Sequence, residues 1–191
     1  MRKNIFWLIP LLCALAVPAA QAGNAAKGKA LAENCAGCHG ADGNSVGTNF
    51  PNLAGQTAEY ITHQLKLFRS GERKVDPMND MAAPLSDQDI DDLAAHFASQ
   101  TMKPPAHSDS AQSERGKAHY AMCTGCHGTT AMGSHDALAI PRLAGQHADY
   151  LAKTLHDFRD GKRNNAIMQS IVATFKPGDI EDLAEYLESM K

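Results

Sequence analysis

Several absences narrow this sequence before any motif is read. No apolar run is long enough to cross a membrane. The longest, Ile5 to Val17, has 13 residues and contains Pro10, whereas a helical span needs about 20. No stretch alternates apolar and polar residues over a useful length, so strands are not expected. No basic excess exists either. The formal charge is −3, and binding nucleic-acid phosphates calls for a basic face. Cysteine is limited to five residues, and none is left over for a disulfide once the positions below are assigned.

The N-terminus reads as a secretory signal. Arg2 and Lys3 give it a positive start, Ile5 to Val17 the apolar segment, and Ala20-Gln21-Ala22 a small-residue cleavage site. Residues 1–22 are expected to be removed after Ala22, because the apolar run is too short for an anchor. Cys13 lies within this segment, and Leu12 before it does not suit lipidation. The remaining 169 residues carry 16 basic and 21 acidic side chains, a charge of −5, and four cysteines. That length suits one domain or two small ones.

All four cysteines fall in two copies of one pattern, Cys35-Ala36-Gly37-Cys38-His39 and Cys123-Thr124-Gly125-Cys126-His127. C-x-x-C-H is the attachment sequence of c-type haem. Two thiols about one helical turn apart reach the two vinyl groups of a porphyrin. The following histidine then lies under the iron. A lone C-x-x-C is also compatible with a redox dithiol or half a zinc site, but neither needs the histidine or the duplication. The sequence therefore calls for two covalently attached haem c groups. Haem attachment outside the cytoplasm agrees with the export signal.

The duplication extends along the chain. Gly28-Lys29-Ala30 matches Gly116-Lys117-Ala118 at an offset of 88. Pro51-Asn52-Leu53-Ala54-Gly55-Gln56 matches Pro141-Arg142-Leu143-Ala144-Gly145-Gln146 at an offset of 90, as do Phe68-Arg69 with Phe158-Arg159 and Asp89-Ile90 with Asp179-Ile180. The expected division is 23–99 and 112–191, with a polar, Pro-containing linker over 100–111. Each copy reads as all-α. A short helix precedes the cysteine motif, a middle helix runs near Thr57–Arg69, and a last helix starts at Ser86 with Asp89 as its capping partner. The second copy has Lys176-Pro177 at that start, where proline suits a first helical turn. Units this small have marginal cores, which a covalently held haem would fill and crosslink.

The repeat also serves to search for a second axial ligand. None of the seven other histidines is matched between the copies, so a second histidine on each iron is not expected, and these residues are assigned to surface or rim. Met78 and Met168 are matched, each ten residues after the repeated phenylalanine. They are the expected axial partners of His39 and His127. Met81 aligns with Ile171 and is the fallback in the first copy. A thioether is a soft, neutral ligand that favours ferrous iron and raises the potential. An iron closed by imidazole and thioether suits electron transfer better than catalysis.

In this order of motifs each half resembles a class I cytochrome c, and two such halves behind a secretory signal resemble the di-haem cytochrome c4 family. The resemblance covers residues 23–191. It implies two domains related by a pseudo-twofold axis, with haems facing one another across the interface. It implies a periplasmic electron carrier that takes electrons from a membrane-bound quinol-oxidising complex and passes them toward a terminal haem–copper oxidase. It also implies that the carbonyls of Pro51 and Pro141 accept hydrogen bonds from His39 and His127, and that Gly28 and Gly116 sit where first and last helices cross. Arg69, Arg73, Arg159 and Arg163 are matched pairs that either bind haem propionates or end a solvated helix. Two other functions compete: a di-haem enzyme of peroxidase or thiosulfate-oxidising type, and a cytochrome subunit of a larger dehydrogenase or oxidase. An enzyme needs an exchangeable site on one iron, against which the two matched methionines argue.

Overall fold

The computed structural model describes residues 23–105 and 110–191. The expected signal segment and residues 106–109 of the expected linker lie outside the described residues. Among the described residues ten helices form one pattern of five, used twice: α1 Ala25–Ala32, α2 Ala36–His39, α3 Ala58–Ser70, α4 Met78–Ala82 and α5 Asp87–Ala98, then α6 Ser110–Tyr120, α7 Thr124–His127, α8 Ala148–Arg159, α9 Ala166–Val172 and α10 Asp179–Ser189. No strand occurs among the described residues. None of the described helices is long and apolar enough to cross a membrane.

Local chemistry sets the helix ends. The Asn24 side chain accepts from the N–H groups of Ala26 and Lys27 and starts α1. Ser86 and Asp89 form the expected capping box of α5. Gly71, at φ 77°, ends α3. At the start of α10 the structure differs from the sequence reading. Pro177 precedes the helix instead of occupying its first turn. Gly178 takes the capping position at φ 91°, and the Lys176 N–H donates to the Asp179 carboxylate at 2.9 Å.

Within each half the first helix crosses the last, α1 on α5 and α6 on α10, while the middle helix packs on the last. The middle and last helices bury apolar residues at helical spacing. Ile61, Leu93, Ala94 and Phe97 share one cluster with Ala32. Leu151, Leu155, Phe158, Ile180, Leu183 and Leu187 share the other. Each large side chain so buried is worth roughly 1.5–3 kcal/mol.

The connection is less detached than a polar linker suggests. Met102 is buried and lies against Gly55 and Gly145, one from each half. The Lys103 N–H donates to Asn44 Oδ1 at 2.7 Å, and Asn44 Nδ2 to the Thr101 carbonyl at 3.1 Å. Helix α6 already begins at Ser110. The halves meet through reciprocal bonds between equivalent residues. The Asn52 N–H donates to Gln146 Oε1 and the Arg142 N–H to Gln56 Oε1, both at 2.8 Å. Gln146 Nε2 donates to the Asn52 carbonyl at 3.0 Å, and Gln56 Nε2 to the Arg142 carbonyl at 2.9 Å. Such mutual exchange is what a twofold relation produces.

Candidate cofactor sites

Each cysteine motif folds as a single helical turn. The His39 N–H donates to the Cys35 carbonyl at 3.0 Å and the His127 N–H to that of Cys123 at 2.9 Å. That turn sets the first cysteine and the histidine on one side. Cys35 and Cys123 pack against the two apolar clusters, whereas Cys38 and Cys126 are exposed. All four thiols are free. Burial, and then the neighbouring Cys38, raises the Cys35 thiol; burial and Cys126 push Cys123 up to about 11. Among the described residues no group of three His, Cys, Asp or Glu side chains is placed to hold a metal ion, so the two motifs do not converge on a shared zinc site.

The histidines are buried, His39 to 6 % exposure and His127 to 7 %. His39 Nδ1 lies 2.9 Å from the Pro51 carbonyl and His127 Nδ1 3.1 Å from that of Pro141. A carbonyl only accepts, so Nδ1 carries the proton and Nε2 keeps its lone pair. Burial lowers both histidine pKa values, opposed by the proline carbonyls. Each ring is thus neutral, oriented, and left with one nitrogen for a ligand bond. This fits the requirement of a haem iron.

Met78 opens α4 and Met168 lies in the first turn of α9, so the matched methionines occupy equivalent helices. Both are half-buried. Met168 packs against the same cluster as Cys123, and the Asn165 side chain holds its N–H at 3.0 Å. Met81 is 39 % exposed.

The four arginines divide into two kinds. Arg69 donates to the Leu85 carbonyl and pairs with Asp87, tying the end of α3 to the start of α5. Arg159 reaches His156 and Asp160 on the surface. Arg73 and Arg163 instead turn into the junction between the halves. Arg73 donates to Gln64 Oε1 at 2.7 Å and to the Tyr150 hydroxyl at 3.4 Å. Arg163 donates to Gln64 Oε1 at 2.9 Å and to the Tyr60 hydroxyl at 2.8 Å. Each guanidinium also lies over a phenylalanine of its own half, Phe68 at 4.6 Å and Phe158 at 4.5 Å. Among the described residues neither forms a direct ion pair, although the Asp157 charge acts on Arg163, and Arg73 Nε is buried without a hydrogen bond. Burial would raise the Tyr150 phenol, but the charges of Arg73 and Arg163 overturn this and hold it below its ordinary value.

Two histidines depart from the assignment to surface or rim. His96 and His147 are buried. His147 Nε2 lies 3.0 Å from the Ser45 carbonyl of the other half. The sequence reading gave no role to Gln56, Gln146, Tyr60 or Tyr150. Their only signal was that each pair is matched at the offset of 90.

The sequence model of the family described as "Cytochrome c" matches twice, over residues 25–101 and 113–191. The chain is 43 % identical over 197 residues to cytochrome c4 of Pseudomonas aeruginosa, covering 96 % of this chain and 98 % of that protein. It is 33 % identical over 214 residues to a thiosulfate dehydrogenase electron acceptor of Stutzerimonas stutzeri, covering 98 % of this chain and 96 % of the relative. Among solved structures it is similar to reduced recombinant cytochrome c4 from Pseudomonas stutzeri, with a TM-score of 0.84 and 38 % identity over 89 % of this chain and all of the other.

Proposed function

The chain belongs to the cytochrome c family, in its di-haem cytochrome c4 branch, and from that premise we propose that it is a periplasmic shuttle delivering electrons to a terminal haem–copper oxidase. It is an electron-transfer protein with two covalently bound haem c groups. The finer assignments are ours. Residues 1–22 are removed on export, 23–99 and 112–191 form the two cytochrome domains, and 100–111 join them. Cys35 and Cys38 attach one haem, Cys123 and Cys126 the other. His39 with Met78, and His127 with Met168, are the axial ligands.

Haem supplies an iron that cycles between ferric and ferrous states. The residues decide that it does little else. Pro51 and Pro141 fix the tautomer and direction of the two imidazoles and strengthen them as donors. Met78 and Met168 would each supply a neutral thioether to hold an iron, a ligand that would suit both oxidation states. Arg73 and Arg163 form no direct ion pair among the described residues, and we assign them to the haem propionates. The observation that carries this reading is the equivalence of the halves: the same buried, carbonyl-fixed histidine and the same methionine-bearing helix occur in both.

A membrane-bound quinol-oxidising complex is the proposed donor. The similarity to a thiosulfate dehydrogenase electron acceptor favours a second reading, in which a periplasmic dehydrogenase fills that place. The axial assignment is tested by redox titration of Met78→Ala and Met168→Ala. Each is expected to lower the potential of one centre and spare the other. Potentials unchanged in both variants would remove the methionines from the irons.

A further inference from the structure

Each proximal histidine is joined to the opposite half through a single peptide unit. The carbonyl of the Pro51–Asn52 peptide accepts from His39 Nδ1 at 2.9 Å. The N–H of that same peptide donates to Gln146 Oε1 at 2.8 Å, 94 residues away in the sequence. The Pro141–Arg142 peptide repeats this, between His127 Nδ1 at 3.1 Å and Gln56 Oε1 at 2.8 Å. Gln56 and Gln146 are 5 % and 3 % exposed. Each Oε1 also accepts from the next residue's N–H, that of Thr57 at 3.0 Å and that of His147 at 3.1 Å. Each Nε2 donates back across the junction. The carboxamides are therefore fixed at both ends.

We propose that Gln146 and Gln56 are positioning residues that set the donor strength of the proximal histidine in the other half. An amide whose N–H is engaged carries more negative charge on its carbonyl oxygen, and in a dry site successive bonds strengthen one another. The Pro51 carbonyl then draws harder on the His39 Nδ1 proton, and Nε2 becomes a stronger donor. A stronger donor favours ferric iron. Gln146 thus lowers the potential of the N-terminal haem, and Gln56 that of the C-terminal haem. Docking of the halves tunes both centres by hydrogen bonding, in addition to any effect of charge between them.

The inference rests on His39 and His127 being the axial imidazoles, and the experiment separates the two claims. Full-length, haem-loaded protein with nitrogen-15 histidine is followed by NMR in the reduced state, and each haem is titrated through its own resonances. In the wild type, both Nδ1–H signals carry the ring-current shift of an imidazole bound to haem; without it the axial reading fails, and the relay with it. Gln146→Leu is expected to move the His39 Nδ1–H signal toward a weaker hydrogen bond and to raise the N-terminal potential, leaving His127 and the C-terminal potential unchanged. Gln56→Leu gives the mirror result at His127. Folded variants in which both Nδ1–H signals stay in place, or in which the shift appears in the half bearing the substitution, overturn the proposal.

Discussion

Gly28 lies directly against the carbonyl of Asp92, so that a methyl group on its Cα would come 1.9 Å from that oxygen. Gly116 meets Asp182 at the same distance in the other half. The atoms opposite are backbone and cannot swing aside. Gly28→Ala therefore forces α1 off α5, and Gly116→Ala forces α6 off α10. Each is expected to cost on the order of 3 kcal/mol, the upper end for overpacking. Urea unfolding followed in each half's haem absorption checks this, the loss falling mainly in the half carrying the substitution.

The crossing of α6 and α10 also depends on pH. Asp182 accepts from Arg115 twice, at 2.7 and 2.9 Å. The Arg115 bond is the main cause holding its carboxyl below its ordinary 3.8. The unfolded chain binds this proton more readily than the folded one, so the pair's contribution is complete above 3.8 and is lost as pH falls through the depressed native value. Arg115 is largely exposed, which limits the pair to about 1 kcal/mol. Asp182→Asn is expected to lower stability by about that amount at neutral pH and to match the wild type in strong acid, as thermal unfolding at the two pH values would record.

Removing a positive charge near a propionate favours ferric iron. Arg163→Gln and Arg73→Gln are accordingly expected to lower a haem potential. Arg69→Gln breaks a pair with Asp87 whose side chain is 71 % exposed and is expected to leave both potentials unchanged. Redox titration of the three variants gives the comparison. A shift with Arg69→Gln and none with the other two would reverse the assignment.

What was legible in the sequence follows the range of the forces involved. The cysteine motifs and the Ser86–Asp89 cap are local patterns, and the duplication made the cysteine motifs visible twice. The α10 start was misread because a glycine at positive φ, supported by Lys176 and Asp179, replaced the proline turn. The junction was not legible. Arg69 and Arg73 are both matched in the second half, and only tertiary packing sends one to Asp87 and the other to Tyr150. Gln56 and Gln146 were visible as a repeat, but a repeat does not say that its two members grip each other's backbone. His147 is buried because the other half supplies the Ser45 carbonyl, which composition cannot anticipate.

The central claim is that both irons are closed by imidazole and thioether. The direct measurement is carbon monoxide binding to the reduced protein. The wild type is expected to bind none rapidly, and Met78→Ala and Met168→Ala to bind one equivalent each. Rapid, stoichiometric binding by the wild type would contradict the account and point to an iron with an exchangeable site.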